Sequence, residues 1–160
     1  MPEFVFSPAP FDRDFHLRSL KEATDELQRL HAVKEVVLSP GWDLPHVLDH
    51  CARSIEYSMQ GFPEQKNAIF QALVGKTAFK LFELRGEMSH NLSEEIPGSV
   101  PTEASKSFEA ALARLLASIQ TFEIYDGPLM PHFAYGNLSK KEYDLANAMH
   151  IANHLSAMKF

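Results

Sequence analysis

From Phe108 to Phe122 an apolar side chain returns every three or four residues: Phe108, Leu112, Leu115, Ile119 and Phe122. That spacing matches the turn of an α-helix, so these side chains form one stripe. A helix with such a stripe must bury it, and the rest of the chain offers other helices as partners. From Asp14 to about Glu35, Leu20, Leu27 and Leu30 line one side, and charged residues fill the rest. Asp43 is placed to cap a second helix, with Pro45 in its first turn, running to about Gln60 before "GFP". A third is expected over roughly Glu64 to Arg85, with Phe70, Val74, Ala78 and Leu81 on one stripe and Gly86 as terminator. The helix carrying Phe108 is expected to begin near Thr102. Ser139 and Glu142 form a Ser-x-x-Glu capping box that opens a last helix. "SPGW" (Ser39 to Trp42) reads as a turn, and Glu87 to Pro101 and "YDGPLMPHFAYGN" read as loops. The one β-branched cluster, "KEVVLS", is short. The pattern predicts an all-α fold, most simply an up-and-down four-helix bundle with one additional helix.

A chain of 160 residues fits one domain, residues 1–160, and is long enough to bury a core without cross-links. A formal net charge of −6 and the lack of a basic stripe argue against a nucleic-acid partner. No apolar run approaches the ~18 residues of a membrane span. The opening "MPEFVFSPAPFD" has neither the basic start nor the sustained apolar run of a signal peptide. The single cysteine, Cys51, can form no intrachain disulfide. The expectation is a soluble cytoplasmic protein.

The histidines carry the functional signal. His46 and His50, and again His150 and His154, are spaced four apart. On a helix such residues are separated by about 40° and ~6 Å, so their rings face one way. A pair like this can hold one metal ion, or it can be two hydrogen-bonded core residues; spacing alone leaves both readings open. Helix bundles collect ligands from facing helices. Three imidazoles with no thiolate would leave a fourth position open, as catalytic sites do. Imidazoles suit zinc, nickel, iron or copper.

Two segments carry a likeness. "WDLPHVLDH" sets a tryptophan eight residues before His50, and "GNLSKKEY" precedes a final helix with "MHIANHL". With "GFP", "GKTAFKLF", "IPG" and "PHFAYGNLSKKEY", they make residues from about Phe15 to Leu155 resemble the DinB-like superfamily of metal-binding four-helix bundles, in a branch described as a domain of unknown function. The resemblance implies a divalent metal, zinc or nickel first and iron as a further candidate, held by His50 from the second helix and His150 and His154 from the last. It implies that the third helix is an insertion. Many relatives carry another histidine near the last pair, where this chain has Asn147 and Asn153. It also implies a small-molecule substrate, with a low-molecular-weight thiol as co-substrate, thiol-dependent transfer or hydrolysis as chemistry, and a homodimer as assembly. The alternative is a non-catalytic metal- or ligand-binding module.

Around that centre, His132 is the candidate catalytic residue, a substrate or proton-transfer group in the loop leading into the metal-bearing helix; a loop-fixing hydrogen bond is its competing role. Tyr135 is expected to pack, Trp42 to anchor its turn, and Cys51 to be a small buried residue. Asp49 is expected to be solvated or to back up a ligand, and Glu56 and Tyr57 to be packing or surface groups. His46 lies in a first turn, as a surface residue, a ligand-supporting group or a substrate contact. His16 and His31 read as edges of the core, and His90 as a solvated loop residue.

Overall fold

The computed structural model describes residues 16–30, 42–101 and 107–157. It contains the helices α1 (Leu20–Leu30), α2 (Leu44–Gln60), α3 (Ala68–Phe70), α4 (Lys76–Arg85), α5 (Phe108–Ile124) and α6 (Lys140–Ser156). A π-helical segment, Gln71–Gly75, joins α3 to α4 without a break. Among the described residues there is no strand, only an isolated bridge between His132 and Gly136. The described chain is therefore all-helical. None of its helices is long and apolar enough to cross a membrane.

Local chemistry accounts for the helix ends. The Asp43 side chain accepts the His46 N–H at 2.9 Å and starts α2, with Pro45 in the first turn. Gly61, at φ +105°, stops it. The expected capping box opens α6: Ser139 Oγ accepts the Glu142 N–H, and the Glu142 carboxylate accepts the Ser139 N–H. Ser107 caps α5 by accepting the Ala110 N–H. At its other end Lys140 donates to the carbonyls of Glu123 and Tyr125, placing a cation on the negative pole of that helix.

α1 begins later than Asp14. Ser19 Oγ accepts the Glu22 N–H, and the Glu22 carboxylate accepts the Arg18 N–H, so the first turn is fixed at Leu20. His16 consequently precedes the helix and is exposed, its Nδ1 4.0 Å from Glu87, rather than lying at the edge of the core. The expected end of α1, His31, most of the "SPGW" turn and "KEVVLS" lie outside the described residues; α5 begins later than the expected start near Thr102, at Phe108, because Ser107 caps it in an extended conformation.

The stripes of α1 and α5 are buried as the spacing requires. Leu20, Leu27 and Leu30 meet Leu112, Leu115, Ile119 and Phe122, with Leu48, Ile55 and Ile151, in one core. α2 packs on α5 and α6, and α1 packs on the same two helices. A Leu20 N–H donated to Asp144 Oδ1 ties the start of α1 to α6.

The third helical stretch departs from expectation. Hydrogen bonding in the Gln71–Gly75 segment spans one residue more than an α-turn, which rotates the following face by about 100°. Gly75 and Phe79 therefore face the protein, and Phe79 is 2% exposed, whereas Val74 and Leu81 from the expected stripe stay half open at 51% and 42%. The helix rests directly on backbone. A Cβ at Gly75 would lie 1.8 Å from the Ala134 carbonyl oxygen, so no larger residue fits there. This contact fixes the loop that carries His132.

Candidate metal centre

α2 and α6 turn His50, His150 and His154 toward one point. Their ring centroids form a near-equilateral triangle, with sides of 4.9, 5.0 and 4.9 Å. His150 Nε2 lies 3.1 Å from His50 Nε2 and 3.2 Å from His154 Nε2. One ligand atom from each ring falls within 4.8 Å of the others. Four nitrogens bonded tetrahedrally at about 2.0–2.1 Å stand about 3.3 Å apart. The observed spacing is close to that edge.

Among the described residues these nitrogens are paired only with one another. His150 Nε2 has one in-plane site and two imidazole neighbours, so one tautomer choice cannot give both contacts a full hydrogen bond. Protonation is no escape. Burial first, and then the imidazoles of His90 and His46, lowers the pKa of His50 to about 3. Burial with His50 and His90 lowers that of His154 to about 2. His150 is held well below the ordinary value by burial and by His154 and His50. Three neutral imidazoles with converging lone pairs are the donor set that a zinc-type ion takes. His50 and His154 are 3% and 2% exposed, and His150 opens to a cavity.

That cavity has a volume of about 270 Å³; His50, His90, His132, Glu95, Asn147 and His150 are among its walls. His154 lies behind, with Trp42 5.9 Å away and stacked on it. An ion at the three nitrogens would thus have its free side toward the cavity. Asn147 and Asn153 each bury an Nδ2 with no hydrogen-bond partner among the described residues.

His132 does what a loop-fixing residue does. Its Nδ1 accepts the N–H groups of Ala134 and Tyr135, at 3.1 and 3.2 Å. Its backbone exchanges two hydrogen bonds with Gly136, whose φ of +73° only glycine adopts freely. Because Nδ1 accepts, the ring proton sits on Nε2. Burial and the nearby His90 lower its pKa to about 3, so it stays neutral. Tyr135 packs as expected, stacked 4.3 Å from the His132 ring.

Other residues depart from the sequence reading. Asp49 is not solvated, and its charge reaches the neighbouring His50, whose pKa it raises against the larger effect of burial. It is fully buried against α5, where Arg114 donates to its Oδ1 at 2.5 Å. Arg114 also donates twice to Glu56, which accepts from Ser118 as well. Glu56 first, and Asp49 with it, push the Arg114 pKa above its ordinary value. Glu56 is therefore an ion-pair partner rather than a plain surface group, while Tyr57 packs on Phe62. Cys51 is buried as expected, and burial pushes its thiol pKa up, away from nucleophilic use. Trp42 does more than anchor a turn: it stacks on His46 at 4.2 Å and tilts against His50 at 4.9 Å. His90 keeps surface in solvent, yet its ring lies 5.0 Å from His150 and 5.4 Å from His154. Burial lowers its pKa.

Glu95 is the residue the sequence reading missed. It lines the cavity, and its Oε1 is 2.7 Å from His46 Nε2. The one hint in the sequence is an acidic pair, Glu94 and Glu95, in front of "IPG" in an otherwise polar loop. Among curated proteins and among solved structures nothing matches the chain. A family model does match over residues 11–159, nearly the whole sequence, and the chain belongs to the family described as "Protein of unknown function (DUF1569)".

Proposed function

We propose that this is a DinB-like, divalent-metal-dependent enzyme, its ion held by His50, His150 and His154, acting on a small electrophilic molecule by thiol-dependent transfer or by hydrolysis. The observation that carries the reading is the convergence of three neutral imidazoles on the wall of a cavity, with His150 Nε2 3.1 Å from His50 Nε2 and 3.2 Å from His154 Nε2. The bundle assignment draws support from the closed circuit of contacts in which α1 and α2 each pack on both α5 and α6. The α3–α4 stretch is then the inserted helix. A lone, buried Cys51 suits a reducing compartment such as the cytoplasm.

A zinc, nickel or iron ion there supplies Lewis acidity, polarising a substrate oxygen or sulfur and drawing the pKa of water or a thiol toward neutrality. The chain's own residues supply the rest. His132 presents an Nε2–H at the cavity wall, held in one tautomer by two backbone donors on Nδ1. It is placed to donate to a substrate oxygen or to pass a proton. Phe133 and Tyr135 shape the wall around it. A volume of about 270 Å³ suits a small substrate.

The test is metal analysis of protein purified without a histidine tag, followed by assays pairing small thiols with electrophiles. Wild type is expected to hold about one ion per chain, and His154→Ala none. Wild type that carries no stoichiometric metal and takes none up would end the reading. Metal without turnover across those assays would leave a binding module.

A further inference from the structure

The cavity has a wall that the three ligands do not explain. Glu95 stands between both histidines of α2. Its Oε1 meets His46 Nε2 at 2.7 Å, and its Oε2 lies 3.7 Å from His50 Nδ1. The second distance is too long for a hydrogen bond. Both atoms of that gap are buried, and neither has a hydrogen-bond partner among the described residues. Buried polar atoms left in this way cost stability unless something pairs them.

An ion would supply the reason to pair. An imidazole that gives its Nε2 lone pair to a metal carries its proton on Nδ1, and such an Nδ1–H characteristically donates to a carboxylate. In His50 that N–H would point at Glu95 Oε2. We infer that Glu95 is a positioning residue for the metal centre, its carboxylate taking the His50 Nδ1–H when an ion is bound and drawing the 95–100 segment onto the site. This rests on the metal reading above.

The surroundings are built for that role. Ile96, the next residue, is sunk in the main core. The Ser99 N–H closes a turn onto the Ile96 carbonyl at 2.9 Å, and Arg53 of α2 donates to the Val100 carbonyl. Trp42 lies flat on His46, at an interplanar angle of 9°, and holds the ring that receives Oε1. In the first pair His46 holds the carboxylate while His50 faces it with Nδ1 and offers Nε2 to the site; in the second pair both His150 and His154 would give a nitrogen to an ion. Two identical spacings in the sequence have different work.

Zinc titration against a competing chromogenic chelator, on wild type, Glu95→Gln, Glu95→Ala and the remote control Glu109→Gln, tests the inference. Hydrogen exchange of residues 87–101 is followed with and without zinc. Both Glu95 variants are expected to bind zinc about 10–100-fold more weakly, with Glu109→Gln unchanged. Gln keeps the shape of Glu, so a merely structural role would tolerate it. Exchange in 87–101 is expected to slow on zinc binding in wild type and much less in Glu95→Ala. If wild type binds zinc and both Glu95 variants, shown folded by circular dichroism, bind within twofold of it, the inference falls alone. If folded wild type binds neither zinc nor nickel, the metal reading falls and takes the inference with it.

Discussion

Asp49 and His50 are neighbours on α2, yet they anchor two opposite kinds of polar cluster. Asp49 turns toward α5, and Arg114 and Ser118 of that helix close a network of charge-assisted hydrogen bonds and ion pairs with Asp49, Arg53 and Glu56 of α2. His50 turns toward α6, where three imidazoles present nitrogen lone pairs to one another. The first cluster supplies its own counter-charges. The second has no cation among its own atoms, and burial forbids it to make one by protonation. A buried polar group that a fold needs for itself is paired from within; one kept for a ligand is left wanting. One helix turned about 100° between consecutive residues serves both ends.

Breaking the self-sufficient cluster should have the largest effect. Arg114→Met takes from the fully buried Asp49 the guanidinium that donates to its Oδ1, and the loss is expected to be about 3 kcal/mol in urea unfolding. That loss should be the same with and without a chelator. A value that depends on added zinc would erase the distinction between the clusters.

Filling the other cluster should come next. At zinc 100-fold above its Kd, wild type is expected to gain about 2.7 kcal/mol, which for a domain of this size is about 5–10 °C in Tm. His150→Ala should gain nothing. A wild-type Tm unmoved by zinc, nickel and chelator would place the three imidazoles with the structural residues.

The smallest effect sharpens the contrast. In metal-free protein His154→Ala removes a buried ring but also relieves a contact between nitrogens that cannot both be satisfied. The net cost is expected to be about 1 kcal/mol, well below that of Arg114→Met. Denaturant midpoints of the two variants, measured side by side in chelator, decide it. A loss from His154→Ala as large as that from Arg114→Met would mean that the imidazoles hold the fold together by themselves.

What could be read from the sequence was whatever depends on near neighbours along the chain. The α5 stripe, the Asp43 cap and the Ser139–Glu142 box each involve residues within a few turns, and each is where the spacing put it. The meeting of His50 with His150 and His154 required more than spacing, because the i, i+4 pattern fits His46 and His50 equally well. The position of His46 in a first turn, and the resemblance read from the motifs, favoured His50 with His150 and His154. Three features were out of reach. The π-helical segment changes the phase of its helix without a marker in the periodicity, so Phe79 rather than Leu81 is buried. Glu95 and His90 come from the 87–101 loop, whose path over the cavity is set by Ile96 entering the core. Arg114 has no marker in its own stretch of sequence, since its partners are on a helix more than fifty residues away.

Trp42 has a practical consequence. It is the chain's single tryptophan, and its ring lies within 6 Å, centre to centre, of His46, His50 and His154. All indole emission from this molecule therefore originates beside the three-imidazole pocket. A closed-shell ion such as zinc should alter that light modestly, whereas an open-shell ion such as nickel or iron should extinguish much of it. The protein carries its own optical gauge of whether the pocket is loaded, and of which kind of ion has loaded it.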